Sequence, residues 1–240
     1  MKYMGSKNRI AKHILPIMLK DRKEGQFWVE PFVGGANMID KVTGNRIGAD
    51  FNEYLIKALL LIRDNPESIP KVITESEYKA AQHDRQLTGI VGFIGFAMSF
   101  GGKWFGGYRR DKAGTKGCIE NMKTQTRRSR DNAIKQSKLM QGVEFIASSY
   151  CDLQIPQNSI IYCDPPYEGT TGYKDKFSHD EFWQWCRDKS KEGHTVFISE
   201  YNAPDDFECI WQQELNVSVA KNGKHKKAIE KLFTIKSESL

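Results

Sequence analysis

The apolar run Ile160-Ile161-Tyr162-Cys163 ends abruptly in Asp164-Pro165-Pro166-Tyr167. Such a run suits a strand buried on both faces. Two consecutive prolines each lack a backbone donor and cannot extend a sheet ladder. They force the chain out of the sheet as a stiff, extended corner. In open α/β sheets, the carboxyl ends of the strands are where ligands bind. A carboxylate, a rigid turn with carbonyls to offer and an aromatic ring arrive there together. The set suits chemistry on an amino group attached to a flat ring. Asp164 and a proline carbonyl can accept its two hydrogens, and Tyr167 can stack on its face. The plainer alternative is an ordinary Pro-Pro turn followed by a surface tyrosine.

The rest of the chain supplies a sheet around that strand. Helical spacing of Ile10, Ile14, Leu15 and Met18 predicts a helix over 6–20. Phe27 to Phe32 reads as a strand, Val33-Gly34-Gly35-Ala36 as a turn, and the stretch to about Val42 as a helix. Asn45 to Asp50 is a second strand, and Asn52 caps an apolar helix over 53–63. The strand rhythm then disappears from about 65 to 130. There, 76–87 and 89–100 read as helices, followed by a loop rich in glycine, aromatics and cations, Gly101 to Arg110. A helix over 129–140 leads back. Strands return at 143–149, 159–164 and 194–201, with a capping box, Ser178 and Glu181, opening a helix over 178–191. The stretches 209–219 and 229–235 look like a closing pair, with Asn222-Gly223 between them. This pattern predicts an α/β fold: a mostly parallel sheet with helices on both faces and one helical insertion. Residues 1–64 and 131–240 would form the main domain and 65–130 the insertion.

Charge placement narrows the partners. The chain nets +6, yet nine Lys and Arg face only two acids between Gly101 and Arg130, so the remainder nets −1. A basic segment so localised is the footprint of a polyanion-binding surface. Aromatic residues Trp104, Phe105 and Tyr108 among the charges weigh against a merely solvated loop. The five cysteines are widely spaced with no C-x-x-C pair, and the five histidines are scattered, so neither a disulfide framework nor a metal site is expected. No apolar run matches a membrane span or a signal peptide, and the expected location is cytoplasmic.

Two further motifs fall at strand ends. Glu30-Pro31-Phe32-Val33-Gly34-Gly35 lies at the first strand-to-helix turn, where glycine permits either a tight turn or close approach of a ligand. It matches neither G-x-G-x-x-G nor a phosphate loop. Asp50 ends the second strand, where an acid can hold both hydroxyls of a ribose, or simply flank a helix.

Together these segments resemble the Dam-type family of DNA adenine methyltransferases (D12 class, alpha group). The likeness rests on Tyr3-Met4-Gly5-Ser6-Lys7, on Glu30 to Gly35, on Gly48 to Asn52, on Asp164 to Tyr167 and on Lys226 to Phe233. Two departures stand out. Ala36 replaces a third glycine of the cofactor turn, and Ser99 to Tyr108 differs from the Dam sequence, resembling phage-like relatives. The resemblance implies a Rossmann-like S-adenosylmethionine-dependent methyltransferase fold and methyl transfer to the exocyclic amino group of adenine in duplex DNA. Base flipping would be required, because a stacked adenine is out of reach. It implies S-adenosyl-L-methionine as cofactor, with Tyr3, Lys7, Glu30, Phe32, Gly34, Gly35, Asp50 and Asp164 around it, Lys7 at the methionine carboxylate. Asp164, Pro165, Pro166 and Tyr167 would be catalytic. Lys103, Trp104, Tyr108, Arg109, Arg110, Lys112, Lys116, Arg127 and Arg128 would bind DNA. No metal or membrane partner is implied, and the protein would act as a monomer or as a dimer on DNA. A cytosine amino-methyltransferase and a non-catalytic DNA-binding relative are the alternatives.

Overall fold

The computed structural model describes residues 1–110, 119–168, 177–219 and 225–236. The chain opens with a 3-10 turn, Lys7–Arg9, and helix α1, Ala11–Met18. Strands β1 (Trp28–Glu30) and β2 (Arg46–Asp50) follow. Four helices come next: α2 (Glu53–Asp64), α3 (Glu75–Asp84), α4 (Gly89–Ala97) and α5 (Ile119–Leu139). The remainder is β3 (Val143–Ala147), β4 (Ile160–Cys163), α6 (His179–Lys191), β5 (Thr195–Glu200), β6 (Phe207–Val219) and β7 (His225–Ile235).

Among the described residues, seven strands form one sheet in the order β3-β2-β1-β4-β5-β7-β6. The strands from β3 to β5 in that order are parallel, and β7 runs antiparallel to both β5 and β6. Strand order reverses between β1 and β4. Their carboxyl ends therefore splay apart and open a crevice, the place where such sheets bind ligands.

Alternation along each central strand feeds two cores. Trp28, Ile160 and Tyr162 pack with α1, α2 and α4 on one face. Val29, Ile161 and Cys163 pack with Phe182, Trp183 and Cys186 of α6 on the other. This is the Rossmann-like, mostly parallel sheet that the sequence predicts. Among the described residues, no helix is long and apolar enough to cross a membrane.

Three expectations need correction. The helix expected after the glycine turn is a single 3-10 turn, Ile39–Lys41. The Gly35 and Ala36 carbonyls, which a helix would use, accept instead from Gln136 Nε2 at 3.1 and 3.0 Å. Gly34 and Ala36 also take positive φ, 50° and 56°, which breaks any helical path. The helix expected over 6–20 is divided: the 3-10 turn at Lys7–Arg9 precedes α1.

The third correction concerns α5, which begins ten residues before the expected start at Ser129. Among its described side chains the buried stripe is Thr126, Ser129, Ala133, Gln136 and Ser137, continued by Met140 just beyond its end. The spacing is helical, but most of these side chains are small or polar, so apolar periodicity could not reveal it. Asn222-Gly223 lies outside the described residues.

Candidate active site

β4 delivers Asp164, Pro165, Pro166 and Tyr167 to the crevice. Pro165 is buried, and the other three are half-buried. Two other segments close around them. The 3-10 turn at the N-terminal side carries Lys7, which is only 8% exposed. Its ammonium lies 3.3 Å from Asp164 Oδ1 and donates to Glu230 Oε2 at 3.0 Å. Tyr167 donates its phenol to the same Glu230 oxygen at 2.9 Å, and Lys7 Nζ sits 4.3 Å from the Tyr167 ring centre. The edge of Tyr167 meets the Tyr201 ring, with centres 4.6 Å apart.

Two carboxylates and one ammonium thus share a buried site with a net charge of −1. Burial pushes the Asp164 carboxyl up to about 6; Lys7 counteracts this and the Glu230 charge adds to it. Burial alone would lower the Lys7 ammonium, but the two carboxylates outweigh it and hold it above its ordinary value. Next to this group, Glu200 at the end of β5 accepts from the Glu168 and Tyr201 amides, at 2.7 and 2.5 Å. It pins the chain that leaves the Pro-Pro corner, and it lines a cleft with Glu168, Tyr201 and Asn202.

The ends of β1 and β2 form the other half of the crevice. Asp50 accepts from the Gly34 amide at 3.2 Å and the Asn52 amide at 3.0 Å, one bond to each oxygen. Each oxygen keeps a lone pair for a further donor. Burial raises its carboxyl to about 6, against the pull of those two amides. Phe51, beside it, is 84% exposed, an unusual place for a large apolar ring.

The glycines of this turn are explained by the protein itself. A Cβ on Gly35 would fall 2.6 Å from the Met1 carbonyl oxygen, and one on Gly34 would lie 3.0 Å from the Tyr3 ring. Tyr3 is therefore a clamp laid over the turn, with its ring also against Phe96, centres 5.4 Å apart. Phe32 points into the α6 core, among Tyr150, Phe177 and Phe182. Glu30, the last residue of β1, is buried and accepts from the Trp28 indole at 2.8 Å. Burial holds its carboxyl well above the usual range, towards the neutral form.

The basic insertion divides unexpectedly. Trp104 and Tyr108, expected to face a ligand, are turned inward. Trp104 packs on Tyr54, Phe96 and Phe105, in a slot that any side chain at Gly95 would fill. Tyr108 donates to the Ile73 carbonyl at 2.7 Å and packs on Tyr78. Arg110 is held by both oxygens of Glu75, and Arg130 by Glu67. Lys103, Arg127 and Arg128 are exposed. Arg109 lies near enough to Lys2 to disfavour the Lys2 charge, though burial of Lys2 is the larger cause. Lys112 and Lys116 lie outside the described residues.

Three residues at these places escaped the sequence reading. Glu230 shares a strand face with the fully buried Leu232, so its alternation marks it as a charge pointing inward. Phe51 and Phe100, 84% and 74% exposed, are visible only once burial is known. Among the described residues, no group of three or more metal-ligating side chains lies together.

A profile of the D12 class N6 adenine-specific DNA methyltransferase family matches residues 3–88 and 105–230. The type II methyltransferase M.FokI of Planomicrobium okeanokoites is 24% identical over 209 residues, covering 78% of this chain and 31% of that protein. The chain thus spans about a third of the length of this curated relative. Among solved structures, a protein described as a methyltransferase from Thermoplasma acidophilum aligns at 11% identity and a TM-score of 0.34, covering 91% of this chain and 72% of that one. SMU.472, described as a methyltransferase complexed with SAH, aligns at 12% identity and 0.37, covering 95% and 52%. With its profile match spanning both halves of the crevice, the chain belongs to the D12 class N6 adenine-specific DNA methyltransferase family.

Proposed function

We propose that this protein transfers a methyl group from S-adenosyl-L-methionine to the N6 amino group of an adenine flipped out of duplex DNA. The observation that carries this reading is the pairing of two half-sites across one crevice. Asp50 and the glycine turn stand at the ends of β2 and β1, and Asp164 to Tyr167 at the end of β4.

The cofactor half fits its group. The Asp50 oxygens, each already fixed by one amide, suit the two hydroxyls of a ribose, and the exposed Phe51 suits the adenine face next to it. When bound, S-adenosylmethionine supplies an electrophilic methyl carbon on a good leaving group. Lys7 stands at Asp164 and Glu230 in this structure, which favours a place beside the amino-accepting carboxylate over its assignment to the methionine carboxylate.

The amino nitrogen of adenine is a poor nucleophile, because its lone pair is delocalised into the ring. Asp164 and the Pro165 carbonyl would accept its two hydrogens and favour a localised lone pair. The same contacts stabilise the positive charge that grows on nitrogen. The net negative charge of the Lys7, Asp164 and Glu230 group favours that charge too. Tyr167, braced by Glu230 and Tyr201, would stack on the flipped base and recover ~1–3 kcal/mol of lost stacking. Alignment supplies the remaining acceleration, and no covalent intermediate is required.

On this reading, residues 1–64 and 131–240 form the catalytic unit, and 65–130 the target-recognition part. Lys103, Arg109, Arg127 and Arg128 would meet phosphates. The inward-turned Trp104 and Tyr108 would shape the loop, and the exposed Phe100 would take the place of the base-contacting aromatic. The protein would act on DNA as a monomer or as a dimer.

The test is incubation with unmodified genomic DNA and methyl-labelled S-adenosylmethionine, then digestion to nucleosides. Label in N6-methyladenine is the expected result. Label in N4-methylcytosine would move the reading to the cytosine amino group. No label at all, with DNA still bound, would leave a non-catalytic DNA-binding protein.

A further inference from the structure

Glu230 has no part in the roles assigned so far from the sequence, yet it is the acceptor that both Lys7 and Tyr167 share. We propose that Glu230 is a positioning residue of the methyl-transfer site, the second acceptor that lets Lys7 release Asp164 to the substrate while it braces Tyr167. The proposal rests on the reading above, methyl transfer to the adenine amino group, and extends it to a residue on β7.

The reasoning starts from what Asp164 must do. To accept an amino hydrogen, its carboxylate needs an oxygen turned to the substrate. In this structure Asp164 carries an ion pair to Lys7 at 3.3 Å. A substrate that displaced Lys7 from Asp164 alone would strand an ammonium that is 8% exposed. Stranding a buried charge costs several kcal/mol, so the exchange would be strongly resisted. Glu230 removes that obstacle. It already accepts from Lys7 at 3.0 Å and from Tyr167 at 2.9 Å, both on the same oxygen, Oε2. Both donors keep a partner when Asp164 turns away. Glu230 itself is 7% exposed, so water cannot easily take its place.

β7 makes this geometry possible. It runs antiparallel beside β5, with Glu200 opposite Lys231, so Glu230 falls at the carboxyl end of the parallel sheet. A strand entering from the other direction thus contributes to the same crevice as β4.

The experiment measures methyl transfer by the full chain to unmodified genomic DNA, across pH, for wild type, Glu230→Gln and Glu230→Asp. Folding is followed by thermal melting. For Glu230→Gln, the expected result is a fall in kcat of tenfold or more, with cofactor affinity within about threefold of wild type. The acid limb of the pH profile should also move to lower pH. Among the described residues, the titratable groups that interact with Asp164 are Lys7, Tyr167, Tyr162 and Cys163 of β4, Glu30 from β1, Glu200 and Tyr201 from β5, and Glu230. Removing the Glu230 charge leaves Lys7 to Asp164 alone and eases its ionisation. A merely structural loss would lower the rate without shifting that limb.

Glu230→Asp keeps the charge but withdraws it by one methylene, so it should lose rate with the limb near its wild-type place. If the Gln variant fails to fold, the Asp variant decides: a wild-type rate overturns the proposal, and a tenfold loss supports it. Wild-type rate or an unmoved limb in a folded Glu230→Gln overturns it too. Failure of the wild-type protein to methylate adenine would instead remove the underlying reading, which separates the two outcomes.

Discussion

Asp164 needs its charge to accept amino hydrogens, and burial works against that charge. With its carboxyl pushed up to about 6, it is ionised above that pH and protonated below it. Turnover on DNA should therefore be level above about pH 7 and fall roughly tenfold per unit below about pH 6, in a pH–rate profile of kcat/KM. Asp164→Asn should lower methyl transfer about a hundredfold or more, the scale of losing one preorganised partner of a developing charge. DNA binding in a gel shift should stay close to wild type, because the cations lie on other elements. A loss of less than tenfold, ~1.4 kcal/mol in barrier height, would remove Asp164 from that role. Asp50→Ala should weaken binding of S-adenosylmethionine alone, read by calorimetry, by ~1.5–3 kcal/mol for its charge-assisted bonds. Asp164 and Asp50 were legible in the sequence because both are acids that terminate a strand, and strand ends are the binding edge of such sheets. Glu230 was not, because its meaning depends on which strand β7 lies beside and on what reaches it from the N-terminal side. Pattern along one segment cannot supply either.

α4 shows how an element can be read correctly and still be misjudged. Its residues predicted a helix, and it carries three glycines spaced by three, which by propensity weaken a helix. In the fold, Gly89 and Gly92 let α4 lie directly on α2: a Cβ on Gly89 would fall 2.6 Å from the Lys57 carbonyl oxygen, and one on Gly92 would collide with the Tyr54 backbone. Gly95 gives Trp104 its slot. Helix propensity says that Gly to Ala stabilises by up to ~1 kcal/mol, whereas overpacking a tight contact costs ~1–3 kcal/mol. The contact here is with backbone, which cannot swing aside, so the second effect wins. Gly92→Ala should lower the thermal midpoint by several degrees, taking ~2–4 °C per kcal/mol at this size. A raised midpoint would mean that the helices are not so closely set. The same element explains the error over Trp104. Charges on either side suggested a ring facing DNA, while the groove that takes it is made of absent side chains, which leave no apolar signal. α5 failed in the complementary way, its buried stripe being small and polar.

At the level of the whole molecule, the surplus of positive charge is smaller than a count along the chain implies. Arg110 and Arg130 are already answered by Glu75 and Glu67 on neighbouring elements. Among the described side chains of 101–130, the exposed cations outside those pairs are Lys103 in the loop and Arg127 and Arg128 on α5. Each phosphate contact releases a condensed counterion, so its loss should flatten the plot of log affinity against log salt by nearly one unit. Arg127→Ala and Arg128→Ala are expected to do this alike, on any DNA, without changing which sites are methylated. Arg110→Ala should change the slope less, because its charge is spent within the protein. Phe100 should behave oppositely to all three. It stands exposed in a turn closed by its own amide on the Gly107 carbonyl at 2.8 Å, and it carries no charge. It also lies in the stretch 89–104, between the two segments that match the family profile. Phe100→Ala should leave the salt slope intact and alter the rate or the set of methylated sites, read by modification-sensitive sequencing of the treated genome. A changed slope with an unchanged site set would make this loop a phosphate clamp, and the choice of sequence would then belong to the helices behind it.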